Sequence, residues 1–168
     1  VVVLALGVGL VAACEPASDP APGRASGPAS GPASGPATVD LDAYAAELVA
    51  ATATARRAAH VAPLETSGCA TRSAAERAEA LVGHPLEHAP LTPVLTGCAP
   101  ASTAAENLSR APAGGDGPAD VVAAWLDSPG HRANLLDPDL TAVGVACVPD
   151  DTDPAAPQVL CSQVFLGP

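Results

Sequence analysis

The chain has 168 residues with 18 acidic against 7 basic side chains, a formal charge of −11. That balance, with no basic stripe to neutralise phosphates, excludes a nucleic-acid partner. The length allows one domain plus extensions. One Trp, one Tyr and one Phe leave the core to Ala, Val and Leu, which bury less area per residue.

Val1 to Ala13 is uncharged and almost wholly aliphatic. It has the length of a signal-peptide core and is too short to span a bilayer. It ends Leu10-Val11-Ala12-Ala13-Cys14, the pattern of a bacterial lipobox, so residues 1–14 read as a partial lipoprotein signal with Cys14 as the lipidated residue. Residues 15–37 repeat Gly-Pro-Ala-Ser. Such a composition cannot bury enough surface to offset its ordering entropy, so this stretch reads as a disordered linker.

A folded domain is expected over 38–168. Leu41, Tyr44, Ala45, Leu48 and Val49 recur at helical spacing, with Asp40 or Asp42 placed to offset the helix N-terminal dipole. His60 closes this helix. Ser73-Ala74-Ala75-Glu76 has the form of a capping box and predicts a second helix with Ala75, Ala78, Leu81 and Val82 on its apolar face, ended by Gly83. Prolines at 85, 90, 93 and 100 forbid long regular elements after it. A third helix starts at Asp116-Gly117-Pro118 and runs to Leu126, with Val121, Val122 and Trp125 inward. The period then changes. Val143, Val145 and Cys147 alternate with smaller residues, and 159–165 is rich in β-branched types. These form an antiparallel pair joined by a turn at 150–154. Helices around a small antiparallel sheet make an α+β domain.

Setting Cys14 aside, four cysteines remain, and an even count in an exported domain reads as two disulfides. Cys147 is paired with Cys161 because they lie on neighbouring strands; Cys69 then pairs with Cys98. A four-thiolate metal site lacks the close Cys-x-x-Cys spacing it needs.

The run Trp125-Leu-Asp-Ser-Pro-Gly-His-Arg-Ala-Asn-Leu-Leu136, with Glu106-Asn107-Leu108 upstream, resembles the bacterial branch of the CAP superfamily, which holds cysteine-rich secretory proteins, antigen 5 and plant pathogenesis-related proteins. The likeness covers 41–168 and is strongest after 104. It implies an α-β-α sandwich and a cleft of two histidines and a glutamate, whose counterparts here are His88, Glu106 and His131, with Asn107 and Ser128 beside them. His84 competes with His88 in the same loop; His88 is preferred because it precedes the Pro-Leu run toward Cys98. Animal members carry a second glutamate three residues after the tryptophan; Ser128 stands there, with Asp127 one residue off register.

Two imidazoles and a carboxylate suit one divalent ion such as zinc, or metal-free proton transfer, or a purely structural hydrogen-bonded cluster. Taken alone, Glu106 could also pair with Arg110 at i,i+4 on an exposed helix, Trp125 reads as a core anchor, and Ser128 as the cap of a short following helix. Asn107-Leu108-Ser109 matches a glycosylation sequon by accident. No nucleophile motif is present. The resemblance implies an extracytoplasmic, membrane-tethered binding module for a lipid, sterol or peptide-like ligand. The alternatives are a metal-assisted hydrolase using the same cleft and a structural envelope protein with a vestigial one. The oligomeric state is not written in the residues.

Overall fold

The computed structural model describes residues 39–168; the lipobox at Cys14 and the linker lie outside them. The element order is α1 (Leu41–Ala58), β1 (Glu65–Thr66), α2 (Gly68–Ala80), α3 (Thr92–Gly97), β2 (Thr103–Pro112), α4 (Pro118–Asp127), α5 (Pro129–Leu136), β3 (Ala142–Asp150) and β4 (Gln158–Gly167). The four strands lie in the order β1-β3-β4-β2. β4 pairs antiparallel with both neighbours, and the two-residue β1 adds a parallel edge to β3. The expected antiparallel pair is thus the centre of a slightly larger, mixed sheet.

The sheet is covered on both faces, and β4 shows why its ten residues need no polar side. Its odd positions, Val159, Cys161 and Phe165, pack with Leu48, Val121, Val122, Trp125 and Leu135 from α1, α4 and α5. Its even positions, Val164 and Leu166, pack with Ala70, Ala74, Val94 and Cys98 from α2 and α3. This is the α-β-α sandwich. Small residues set the α2 layer close to the sheet. A Cβ on Gly144 would lie 2.0 Å from the Thr71 backbone nitrogen and 2.3 Å from the Ala70 carbonyl carbon, so only glycine fits beneath this helix.

Helix α1 is capped by Asp40, whose side chain accepts from Ala43 N at 3.0 Å, with Asp42 in the first turn. Its end is a left-handed turn at His60 (φ 59°). There His60 N bonds Arg57 O and Val61 N bonds Arg56 O, a Schellman arrangement. Its buried row continues past Leu48 through Thr52 and Arg56. Arg56 is fully buried. It donates to Ala62 O (2.7 Å), Leu135 O (2.9 Å), Asp137 O (2.9 Å) and Leu140 O (3.2 Å), tying the end of α5 and the approach to β3 onto α1.

Three expectations need correction. The second helix starts five residues before Ser73. Ser67 is its N-cap, accepting from Ala70 N at 3.2 Å, and the buried row is Ala70, Ala74 and Ala78, while Leu81 and Val82 lie past the helix end. Alanine-rich sequence fits several helical registers, and contact with the sheet chooses one. Residues 103–112 form a full strand, not a helix: ten consecutive residues pair with β4, Glu106 opposite Val164 and Arg110 opposite Leu160. Arg110 therefore pairs not with Glu106 but with Asp150 at 3.2 Å, and it donates to Leu81 O and His84 O. Ser128 sits between α4 and α5 and makes no side-chain cap; its backbone carbonyl accepts from Arg132 N.

Both disulfides are as expected. Cys69–Cys98 staples α2 to the end of α3, and Cys147–Cys161 joins residues directly opposite on β3 and β4.

Candidate functional site

Glu106 stands near the middle of β2 on the α2 face and is 4 % exposed. A carboxylate placed there needs hydrogen bonds to stay charged, and it has four. Oε1 accepts from Arg77 Nε on α2 and from Ser162 Oγ on β4 (2.9 Å). Oε2 accepts from Arg77 Nη2 (2.7 Å) and from His88 Nδ1 (2.8 Å). Burial opposes the charge, but the bonds from Arg77, His88 and Ser162, with the charge of Arg77, hold the carboxyl below its usual range. Glu106 is thus ionised at neutral pH, with about all four of its lone-pair positions used.

Arg77 also donates to Ala89 O at 2.9 Å and reaches Pro90 O at 3.4 Å. It therefore fixes the loop that carries His88 as well as the acid beneath it. His88 spends Nδ1 on Glu106, which leaves Nε2 as its free nitrogen; its side chain is 53 % exposed. His131, in the first turn of α5, brings its ring to 6.3 Å from that of His88 and 6.4 Å from that of Trp125. Burial, then the neighbouring His88, lower the His131 pKa from its ordinary value, so this imidazole is neutral at pH 7.

The two histidines and the acid, distant along the chain, thus meet at one place. An open pocket of about 280 Å³ lies there, walled by Ala89, Leu91, Ala104 and Ala105, with His88, Glu106 and Asn134 as its polar groups. His84 is exposed outside it, and its carbonyl is held by Arg110. None of Ser128, Asn107 and His131 lines it; His131 stands beside it, against the rings of His88 and Trp125. Asn107 is fully buried, which also rules out glycosylation there; it donates to His131 O (3.4 Å) and Gln163 Oε1 (3.5 Å) and accepts from Asn134 Nδ2 (3.0 Å). Gln163 continues to Thr52 on α1 at 2.9 Å. A buried polar chain therefore runs from α1 across the α1 face of the sheet to α5 and ties down the His131 backbone. Trp125 is buried as expected and donates from Nε1 to Leu108 O at 2.9 Å. Asn134 Nδ2 donates to Glu106 O at 3.0 Å. These two side chains occupy outward carbonyls of the edge strand β2, which blunts it against pairing with another chain.

A family model described as the CAP, cysteine-rich secretory protein family matches residues 49–165. The chain belongs to the CAP family. The protein YkwD of Bacillus subtilis, itself described as uncharacterized, is 37 % identical over 65 residues, 39 % of this chain and 21 % of YkwD. The crystal structure of a cysteine-rich secretory protein from Staphylococcus aureus superposes with a TM-score of 0.62 at 17 % identity, over 77 % of this chain and 40 % of that one. An outer surface protein of Borrelia burgdorferi superposes at 0.61 and 20 % identity, over 78 % of this chain and 97 % of its own. An extracellular Bacillus anthracis protein containing an SCP domain gives 0.62 at 20 % identity, over 80 % and 45 %. This CAP domain thus spans well under half of YkwD and of the S. aureus structure.

The cleft trio of this CAP domain does not fit a divalent ion. A zinc site with an open position takes three protein ligands. Here Glu106 has both oxygens taken, partly by a permanent cation, and only two imidazole nitrogens are left to offer. Among the described residues no group of three His, Cys, Asp or Glu side chains is arranged to hold a metal.

Two residues at the site escape sequence reasoning. Asn134 lies inside the motif run but carries no signal of its own. Arg77 stands one position before the buried Ala78 in α2, where a basic side chain reads as a solvated flank.

Proposed function

We propose that this CAP domain is a non-enzymatic binding module outside the cytoplasm, tethered to a membrane by a lipid on Cys14, whose His88–Glu106–His131 cleft receives one end of a lipid, sterol or peptide-like ligand. The observation that carries the reading is the state of Glu106. Its oxygens are saturated, so it orients His88 and is not available as a base. The pocket lining contains no hydroxyl or thiol to act as nucleophile. What the cleft offers is His88 Nε2 and the side chain of Asn134 beside small apolar walls, with the neutral His131 ring adjoining His88. That is the pattern of a recognition site, apolar with a few placed polar groups. At about 280 Å³ it suits a side chain or the terminus of a longer molecule.

Two disulfides favour an oxidising compartment. The S. aureus, B. anthracis and B. burgdorferi relatives are described as secretory, extracellular and outer-surface proteins. Among the described residues no helix is long and apolar enough to cross a membrane.

The test is a titration followed through the imidazole C–H resonances of His88 and His131, using short peptides, phospholipid micelles and a sterol in turn. One class is expected to shift both rings, and His131→Ala is expected to abolish the response in a folded protein. Silence from all three classes at millimolar concentration refutes the binding reading. For the tether, Cys14→Ala is expected to move the protein from the membrane fraction to the soluble one; retention in the membrane refutes it.

A further inference from the structure

The geometry points to Arg77 as the resident cation of this cleft: its guanidinium occupies both Glu106 oxygens and keeps divalent metals out of the His88–Glu106–His131 group. Four observations converge on this. The guanidinium meets the carboxylate through Nε and Nη2, one on each oxygen, the fork geometry in which arginine binds a carboxylate most firmly. The pair is dry, with side-chain exposures of 13 % and 2 %, so water does not screen the charge. Arg77 is anchored a second time through Ala89 O and Pro90 O, so the guanidinium cannot swing away without releasing the His88 loop. Ser162 and His88 fill what remains of the carboxylate.

A metal ion entering here would have to displace a charged, doubly anchored donor from a buried acid. It would also sit beside a permanent positive charge. Zinc needs deprotonated, unoccupied donors, and the only ones left are one nitrogen on each histidine. Arg77 thus supplies what a bound ion would otherwise supply: charge balance for Glu106 and a fixed His88 ring. It is a positioning residue, acting through Glu106. Two imidazoles next to an acid read as a metal set in the sequence; the α2 arginine makes them a closed, metal-free hydrogen-bonded group. This follows from the donor arithmetic whatever ligand the cleft takes.

The experiment is calorimetric titration of zinc into the whole chain at pH 7, wild type against Arg77→Gln. The wild type is expected to bind no zinc that Glu106→Gln or His131→Ala removes. Arg77→Gln leaves Glu106 negative with two of its acceptor positions freed. It is expected to gain one zinc site that the wild type lacks, lost again in the double variant with His131→Ala, and to show a Tm that rises with zinc concentration. Arg77→Lys, which restores the charge, is expected to gain less than Arg77→Gln. These readouts separate the assignment from a merely structural role, which would change Tm without creating zinc dependence.

Stoichiometric zinc in the wild type that depends on Glu106 or His131 overturns the assignment. So does a folded Arg77→Gln with no more zinc than the wild type. A further measurement needs no variant. The Arg77 Nε–H resonance of the wild type is expected to stay in place through ten equivalents of zinc, and its displacement overturns the assignment even if Arg77→Gln fails to fold.

Discussion

Gly144→Ala is the sharpest test of how this fold holds its site. The added methyl would stand 2.0 Å from Thr71 N, 2.3 Å from Ala70 C and 2.7 Å from Thr71 Cα. All three are backbone atoms of α2, so no side chain can rotate away. Restoring an ordinary contact of about 3.5 Å requires the helix to lift by about 1.5 Å from β3. That lift loosens the layer of Ala70, Ala74, Val94, Cys98, Val164 and Leu166. Overpacking a core costs about 1–3 kcal/mol where side chains can adjust; with rigid backbone on one side the loss is expected at about 3 kcal/mol or more. A domain with about 5–15 kcal/mol in total can survive that and still be measured. Urea denaturation of the oxidised protein should show a lower midpoint at unchanged slope. Because Arg77 rides on the same helix, the His88 ring resonance should move as well. A loss under about 1 kcal/mol with an unshifted His88 would refute the claim that α2 is seated on Gly144.

Other consequences follow from buried charges and cross-links. Arg56→Met strands the carbonyls of Ala62, Leu135, Asp137 and Leu140; at about 1–3 kcal/mol per orphaned buried group, partly recovered by relaxation, the loss in urea should exceed about 3 kcal/mol, and a change below about 1 kcal/mol would show the carbonyls finding other donors. Acid should destabilise the domain in two stages. His131, whose pKa is lowered by folding, favours the fold in its neutral form, so stability declines gently as pH falls below about 6.5. Glu106 and Asp150 have folded pKa values held below their ordinary ones. For Glu106, hydrogen bonds overcome burial; for Asp150, the bond from Thr152 leads, against burial, with Gly83 and Arg110 assisting. Their contribution is complete above the unfolded carboxyl range near about 4 and is lost as pH falls below it; a midpoint flat from pH 7 to 3 would contradict this. Reducing the two disulfides, which span 29 and 14 residues, removes about 3 kcal/mol each by loop closure, so scanning calorimetry in reductant should show Tm down by more than about 10 °C, and an unmoved Tm would show that the cross-links carry little.

Much of the frame could be read directly from the residues. The periodicity of Leu41, Tyr44, Leu48 and Val49 marks α1, and Gly117-Pro118 opens α4, because local pattern and chain-breaking chemistry act within a few residues. The pairing of Cys147 with Cys161 followed from recognising two neighbouring strands. His88, Glu106 and His131 came from the likeness of their surrounding motifs to a family.

Contact decided the rest. Residues 103–112 have little β-propensity, and they are a strand because β4 offers ten residues of partner and helices cover both faces. The register of α2 was ambiguous among alanines until Gly144 fixed where the helix sits. The chemistry of the cleft depends most of all on such a contact. Arg77 and Glu106 are 29 residues apart, on a helix and a strand whose packing no local pattern encodes, and the charge state and ligand capacity of a carboxylate are set by the donors that folding brings to its oxygens.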